Sequence, residues 1–239
     1  MHFQQIHAGR VQVLGIFSNL ISHNMTSNPR GIEVAVVGGS INEPELTVLR
    51  ELSYEFNVTF FGIGNNEIYL DLNELDGYPK VYNEKYDLLI CCQVLEHVYD
   101  IKNALRNLSQ LLAPEGMIWI NVPASNLKHG SPEYFSAGYQ SKLISNLLLP
   151  MGVKELELGD VGSKRLYFMT HKQQYWPSYL EHRFPLVRGI HSRKWLFPFK
   201  TVKYFFRNFQ AVCWSPKFLY GSNFSTESYY LGKKISGRA

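Results

Sequence analysis

The sequence predicts an α/β protein with a doubly wound, mostly parallel sheet of seven strands. Three observations lead there. A β-branched apolar run, residues 32–37, ends in Gly38-Gly39-Ser40, as a fully buried strand followed by a tight turn does. Strand-like and helix-like segments then alternate up to Pro123, which is the pattern of parallel βαβ units. Runs rich in Val, Ile and Leu, rather than strict apolar–polar alternation, place that sheet between two helical layers.

Taken in order, residues 10–22 set Val11, Leu14, Phe17, Leu20 and Ile21 at helical spacing, predicting an amphipathic lead-in helix. Pro44 opens a second helix carrying Leu46, Val48, Leu49 and Leu52. Residues 57–63 read as a second strand, 68–72 as a short third and 86–92 as a fourth. A helix over 101–112 takes Asp100 as N-cap. Pro114-Glu115-Gly116 makes a turn before a fifth strand at 117–122. A helix near 140–149, a strand near 153–158 and a last strand at 227–234 complete the set. Ligands of such sheets bind at the C-terminal ends of the strands.

Composition sets further bounds. The chain has 239 residues, 45% of them hydrophobic and 18% charged, as an ordinary folded protein has. Its net charge of +4 is unevenly spread: residues 1–171 carry 12 basic and 18 acidic side chains, and residues 172–239 carry 12 basic and 2 acidic. Two regions are expected, a ligand-binding domain over 1–171 and a basic, aromatic cap over 172–239. That segment interleaves cations such as Arg193, Lys194 and Lys200 with Trp195, Phe197 and Phe199. It suits an anionic membrane surface or a nucleotide-linked or lipid-linked sugar, or forms a small core with a solvated charged face. No RNA-binding signature accompanies it, so nucleic acid is not the expected partner. Cys91 and Cys92, adjacent in an apolar run, read as core thiols, and no metal site is expected from them. No signal-peptide pattern and no apolar run of membrane-spanning length is visible, which predicts a cytoplasmic location, peripheral at most to the inner face of a membrane.

The stretch Tyr86-Asp87-Leu88-Leu89-Ile90-Cys91-Cys92-Gln93-Val94-Leu95-Glu96-His97-Val98, followed by Asp100, closely resembles the post-strand-4 motif of class I S-adenosylmethionine-dependent methyltransferases. The similarity continues through Leu111-Leu112-Ala113-Pro114-Glu115-Gly116 to Ile120-Asn121-Val122-Pro123. The resemblance implies a Rossmann-like methyltransferase fold, with S-adenosyl-L-methionine as cofactor and Gln93 and Val94 on the floor of its pocket. It implies cofactor contacts from Gly38, Gly39 and Ser40, from Asp71 and Leu72 beside the adenine, and from Asn65 at the ribose. Asp71 equally suits a helix N-cap, and a Gly-Gly turn also occurs without any ligand.

The chain departs from the family pattern at two places. Val36 and Ser40 stand where an acidic residue and a second glycine are usual, and no carboxylate ends the second strand before Glu67. Gly38-Gly39-Ser40-Ile41-Asn42 is not the glycine pattern of nicotinamide enzymes and no acidic residue ends the second strand, so a nicotinamide-dependent oxidoreductase fits poorly.

Methyl transfer needs in-line positioning and removal of an acceptor proton. Glu96 and His97 stand at the strand-4 end as candidates for that proton, or else order the following loop. Gln93 replaces the first acid of an E-x-x-E-H metal cluster found in some relatives, and a carboxamide is a poor metal ligand. His129 and Tyr134, within His129-Gly130-Ser131-Pro132-Glu133-Tyr134-Phe135, are candidates for the acceptor side. Similar segments occur in methyltransferases encoded with polysaccharide assembly enzymes. The resemblance therefore implies methyl transfer to a hydroxyl of a glycan or glycan precursor. The alternative is a degenerate methyltransferase-fold binding or scaffold protein.

Overall fold

The computed structural model describes residues 8–25, 31–64, 68–75, 77–125, 133–162, 167 and 225–236. In chain order the elements are α1 (Ala8–Asn24), β1 (Ile32–Val37), α2 (Pro44–Glu51), β2 (Phe56–Gly62), β3 (Ile68–Tyr69), β4 (Tyr86–Cys92), α3 (Ile101–Leu111), β5 (Leu112–Pro123), α4 (Ser141–Leu148), β6 (Val153–Val161) and β7 (Glu227–Lys234). The seven strands form one sheet in the order β3-β2-β1-β4-β5-β7-β6. Strands β1 to β5 are parallel, while β7 runs antiparallel to both β5 and β6. The sheet is the Rossmann-like methyltransferase architecture expected from the sequence. Its strand order reverses between β1 and β4, and that switch point opens a crevice at the strands' C-terminal ends.

Alternation along β1 splits the core into two layers. Val34 and Val36 join Ile90, Trp119 and Tyr229 under α1 and α2; Ala35 and Val37 join Leu89, Cys91 and Ile120 under α3 and α4. Both Cys91 and Cys92 are buried free thiols. Burial pushes both thiols well above the ordinary range.

The structure departs from expectation at several places. The buried face of α1 is Val13, Phe17 and Ile21, with Val11 exposed, so the apolar stripe lies one step round from the expected one. Strand β3 stops at Tyr69 because Asp71 turns the chain: its N–H donates to Gly77 O at 3.3 Å, and its Oδ1 accepts from Asn73 N at 2.9 Å. Strand β2 ends at Gly62, leaving Ile63 exposed. Strand β5 begins at Leu112, and the expected Pro114 turn persists as a bulge inside it: Tyr86 pairs with Leu112, but Leu88 pairs with Met117. Glu115 takes φ 65° in that bulge. Helix α3 begins as expected, with Asp100 Oδ1 accepting from Asn103 N at 3.0 Å.

Candidate active site

The crevice at the switch point is lined by the turn after β1 and the segment after β4. Gly38 adopts φ 69°, and its N–H donates to Phe61 O at 2.8 Å, tying the turn to β2. A Cβ at Gly38 would lie 2.6 Å from Val94 Cγ2, so the backbone passes the strand-4 end with no room for a side chain. Gln93 also stands in the left-handed region, at φ 57°, which is a strained conformation for a residue with a Cβ. Its N–H donates to Asn121 O at 2.8 Å, so β5 holds the strained turn in place. Ser40 is exposed on the turn, where its Oγ accepts from Asn42 N at 3.3 Å. Asp71 is half-buried beyond β3, and Leu72 is buried in the core behind it. Asn65 and His129 lie outside the described residues.

Beneath the crevice runs a buried polar network that the sequence reading missed. Arg10 Nη2 donates to Glu43 Oε1 and to Glu45 Oε2, each at 2.8 Å, while Nη1 donates to Asn121 Oδ1. Glu45 Oε1 accepts from Cys92 Sγ at 3.3 Å and from Trp119 Nε1 at 3.2 Å. Gln93 Nε2 donates to Asn121 Oδ1 at 3.0 Å and to Glu227 Oε2 at 2.9 Å, and Asn121 Nδ2 reaches the same Glu227 oxygen at 3.1 Å. The α1 guanidinium and two carboxamides thus join three carboxyls, drawn from α2, β7 and the turn before α2.

Burial and the Glu45 carboxylate push the Glu43 carboxyl up to about 7, against the pull of Arg10. Burial likewise raises Glu227 to about 7, although Arg10, Asn121 and Gln93 favour its charged form. For Arg10, burial opposes the charge, but Cys92, Glu45 and Glu43 outweigh it and hold its pKa above the ordinary arginine value. The sequence did carry one signal for this network. Arg10 continues the stripe Val13, Phe17, Ile21 at helical spacing, a charge on a buried apolar face.

Among the described residues, Glu43, Glu45 and Cys92 place ligand atoms within 4.8 Å of one another, a spacing open to a metal ion. Both carboxylates already hold Arg10, so the cation of this cluster is the chain's own guanidinium.

On the other side of the strand-4 end, the structure brings together three residues singled out from sequence. Glu96 is fully buried, and its backbone O accepts from Phe135 N at 2.9 Å and Ser136 N at 3.2 Å, which pins the loop after β5 to the segment after β4. His97 Nδ1 donates to Glu133 O, so in the neutral ring Nε2 carries the lone pair; that Nε2 lies 3.8 Å from Glu96 Oε1. The ring of Tyr134 stands edge-on to that of His97, with centroids 6.1 Å apart. Burial, then the Glu96 carboxylate, raises the Tyr134 hydroxyl above the ordinary phenol range. No helix of the described residues is long and apolar enough to cross a membrane.

With this geometry in hand, comparison with known proteins is informative. The family profile of the methyltransferase domain matches residues 29–198. No curated protein sequence matches the chain significantly. Among solved structures, the chain is similar to a Galdieria sulphuraria protein provisionally named a sarcosine dimethylglycine methyltransferase (TM-score 0.58, 11% identity, 96% of this chain and 92% of that one). It is also similar to Haemonchus contortus phosphoethanolamine N-methyltransferase 2 in complex with S-adenosyl-L-methionine (TM-score 0.53, 11% identity, 92% of this chain and 52% of that one). A third similar structure is the [4+2]-cyclase SpnF (TM-score 0.54, 14% identity, 95% and 83%), so the fold alone does not fix the reaction. The family match, spanning well over half of the sequence, does place it: the chain belongs to the methyltransferase domain family and is a methyltransferase of the S-adenosylmethionine-dependent class.

Proposed function

We propose that this chain binds S-adenosylmethionine in the β1–β4 crevice and transfers its methyl group to a hydroxyl of a glycan or glycan precursor. The observation that carries the reading is the meeting of the Gly38 turn with Gln93 and Val94 at the switch point. There the backbone comes so close to Val94 that only glycine fits. The residues present fit the donor: the backbone of Gly38, Gly39 and Ser40 offers close approach, Gln93 and Val94 form the floor, and the half-buried Asp71 follows β3, where the resemblance puts the adenine. When bound, S-adenosylmethionine supplies an already activated methyl group.

The chain's own tasks are then to orient an acceptor and take its proton. His97 is the base this geometry favours. Its Nδ1 donates to Glu133 O, and a proton taken up at Nε2 would face Glu96 Oε1 across 3.8 Å. Tyr134, packed on the same ring, is placed to contact the acceptor. The basic content of residues 172–239 supports an anionic acceptor, a nucleotide-linked or lipid-linked sugar, reached in the second case at the inner face of a membrane.

Isothermal titration with S-adenosylmethionine and S-adenosylhomocysteine tests the donor half. Saturable binding of both supports it; no heat at millimolar ligand overturns it and leaves the non-catalytic binding protein that Val36 and Ser40 favour. Transfer of a labelled methyl group to nucleotide-linked and lipid-linked sugars tests the acceptor half. Co-sedimentation with anionic liposomes at low and high salt separates membrane attachment from soluble turnover.

A further inference from the structure

We infer that Arg10 is the positioning residue of the donor site: it holds Glu43 against the glycine turn, in the place that Val36 leaves without an acid, and through Asn121 it fixes Gln93. The inference rests on the donor half of the proposed function.

Three observations carry it. First, Glu43 closes on the turn from the far side. A Cβ at Gly39 would lie 2.7 Å from Glu43 Oε2 and 2.8 Å from Val36 Cγ1, so the carboxylate sits over Gly39 beside the Val36 side chain. The acid missing from β1 is thereby supplied in space from seven positions later. Second, Arg10 links the two sides of the switch point directly. Its guanidinium bonds Glu43 and Glu45 on one side of the switch point and Asn121 on the other, and Asn121 Oδ1 in turn accepts from Gln93. The planar fork of arginine suits such a bridge, whereas a lysine offers a single point charge.

Third, the cluster as a whole is a weak source of stability. A buried ion-pair network adds little over well-packed apolar side chains of similar volume, although removing Arg10 alone leaves Glu43 and Glu45 buried without their cation. An arginine kept at such a position makes sense if what it fixes is geometry.

The charged and titratable groups facing Glu43 are Arg10 from α1, Glu45 from α2 and Cys92 from β4. Burial and Glu45 push its carboxyl up, and Arg10 pulls it down. Removing the guanidinium therefore moves the ionisation of Glu43 to higher pH, and where Glu43 acts on the donor that shift carries over into the pH dependence of donor binding.

The experiment is titration of the full chain with S-adenosylmethionine between pH 6 and 9, for wild type, Arg10→Met, Arg10→Lys and Glu43→Gln, with a thermal melt of each. Arg10→Met is expected to weaken binding about tenfold or more and to shift the pH midpoint of affinity upward by about one unit. Arg10→Lys is expected to keep that midpoint while losing part of the affinity. Glu43→Gln, which retains the Arg10–Glu45 pair and so keeps the fold if Arg10→Met does not, is expected to remove the share of the pH dependence that Glu43 supplies, leaving only that of Glu227, and to weaken binding as Arg10→Met does. Wild-type affinity and midpoint in folded Arg10→Met, or in Glu43→Gln, overturns the inference. Absence of binding by wild type instead overturns the donor half of the proposed function, so the two failures are distinct.

Discussion

Gly38 and Val94 meet across the switch point at a distance no side chain tolerates: a Cβ on the glycine would lie 2.6 Å from one Val94 methyl and 3.3 Å from the other. The contact joins the end of β1 to the end of β4, and the φ of 69° at Gly38 sets its angle. Gly38→Ala is therefore expected to cost about 1–3 kcal/mol in urea unfolding, combining backbone strain with overpacking. It should also lower donor affinity. Adding Val94→Ala should return the steric share and leave the backbone share; full recovery in the double variant would refute the φ argument.

Glu227 gives the fold an unusual pH response. Its carboxyl titrates near 7 in the folded chain against an ordinary value of 4.5. Between those values the folded state holds a proton that the unfolded state has released, so its contribution to stability falls as pH rises through this window and is flat above it. Glu227→Gln keeps an oxygen to accept from Gln93 and Asn121 but does not titrate. Its stability relative to wild type should rise by on the order of 1–3 kcal/mol between pH 5 and pH 8. Denaturant melts at the two pH values read this, and a constant difference would count against it.

For His97, the expectation separates chemistry from binding. His97→Gln removes the acceptor nitrogen at the strand-4 end without touching the glycine turn. Methyl transfer should fall by about 100-fold or more while the Kd for S-adenosylmethionine stays within about threefold. Equal losses in both quantities would assign His97 to loop ordering instead.

Asp100 is a plain local test. Its side chain satisfies the Asn103 N–H at the start of α3, so Asp100→Ala should cost about 1 kcal/mol, and Asp100→Asn or Asp100→Ser much less. No change in the midpoint of thermal unfolding for Asp100→Ala would show that the cap is not felt globally.

How much of this was readable in advance depended on the range of the interactions. The strands and α3 were legible because they are built by local periodicity and by a cap three residues from its partner. The bulge in β5 was half legible: Pro114-Glu115-Gly116 reads as a turn, but that the turn sits within a continuous strand follows only from pairing with β4. Around the site, the placement of Gln93, Val94, Glu96 and His97 after β4 and of Tyr134 after β5 was legible because each lies in or beside a local motif. Glu43 was not legible because the family pattern puts its acid at Val36, two residues before the first glycine, whereas the fold brings one back from beyond the turn. Arg10 and Glu227 escaped because no periodicity links residues that lie 217 positions apart.

That separation bears on how the site comes into being. Strand β6 has β7 as its sheet neighbour, and β7 also completes the outer side of β5. During synthesis, α1 and the first five strands leave the ribosome long before residue 227 is made. Until then Asn121 and Gln93 have no carboxylate to share and β5 presents an open edge, so the nascent chain carries a half-built crevice and an aggregation-prone border. Under the proposed role of this network, the donor site is finished only when β7 joins the sheet, and a chain cut anywhere between residues 162 and 226 would retain the motif yet lack Glu227.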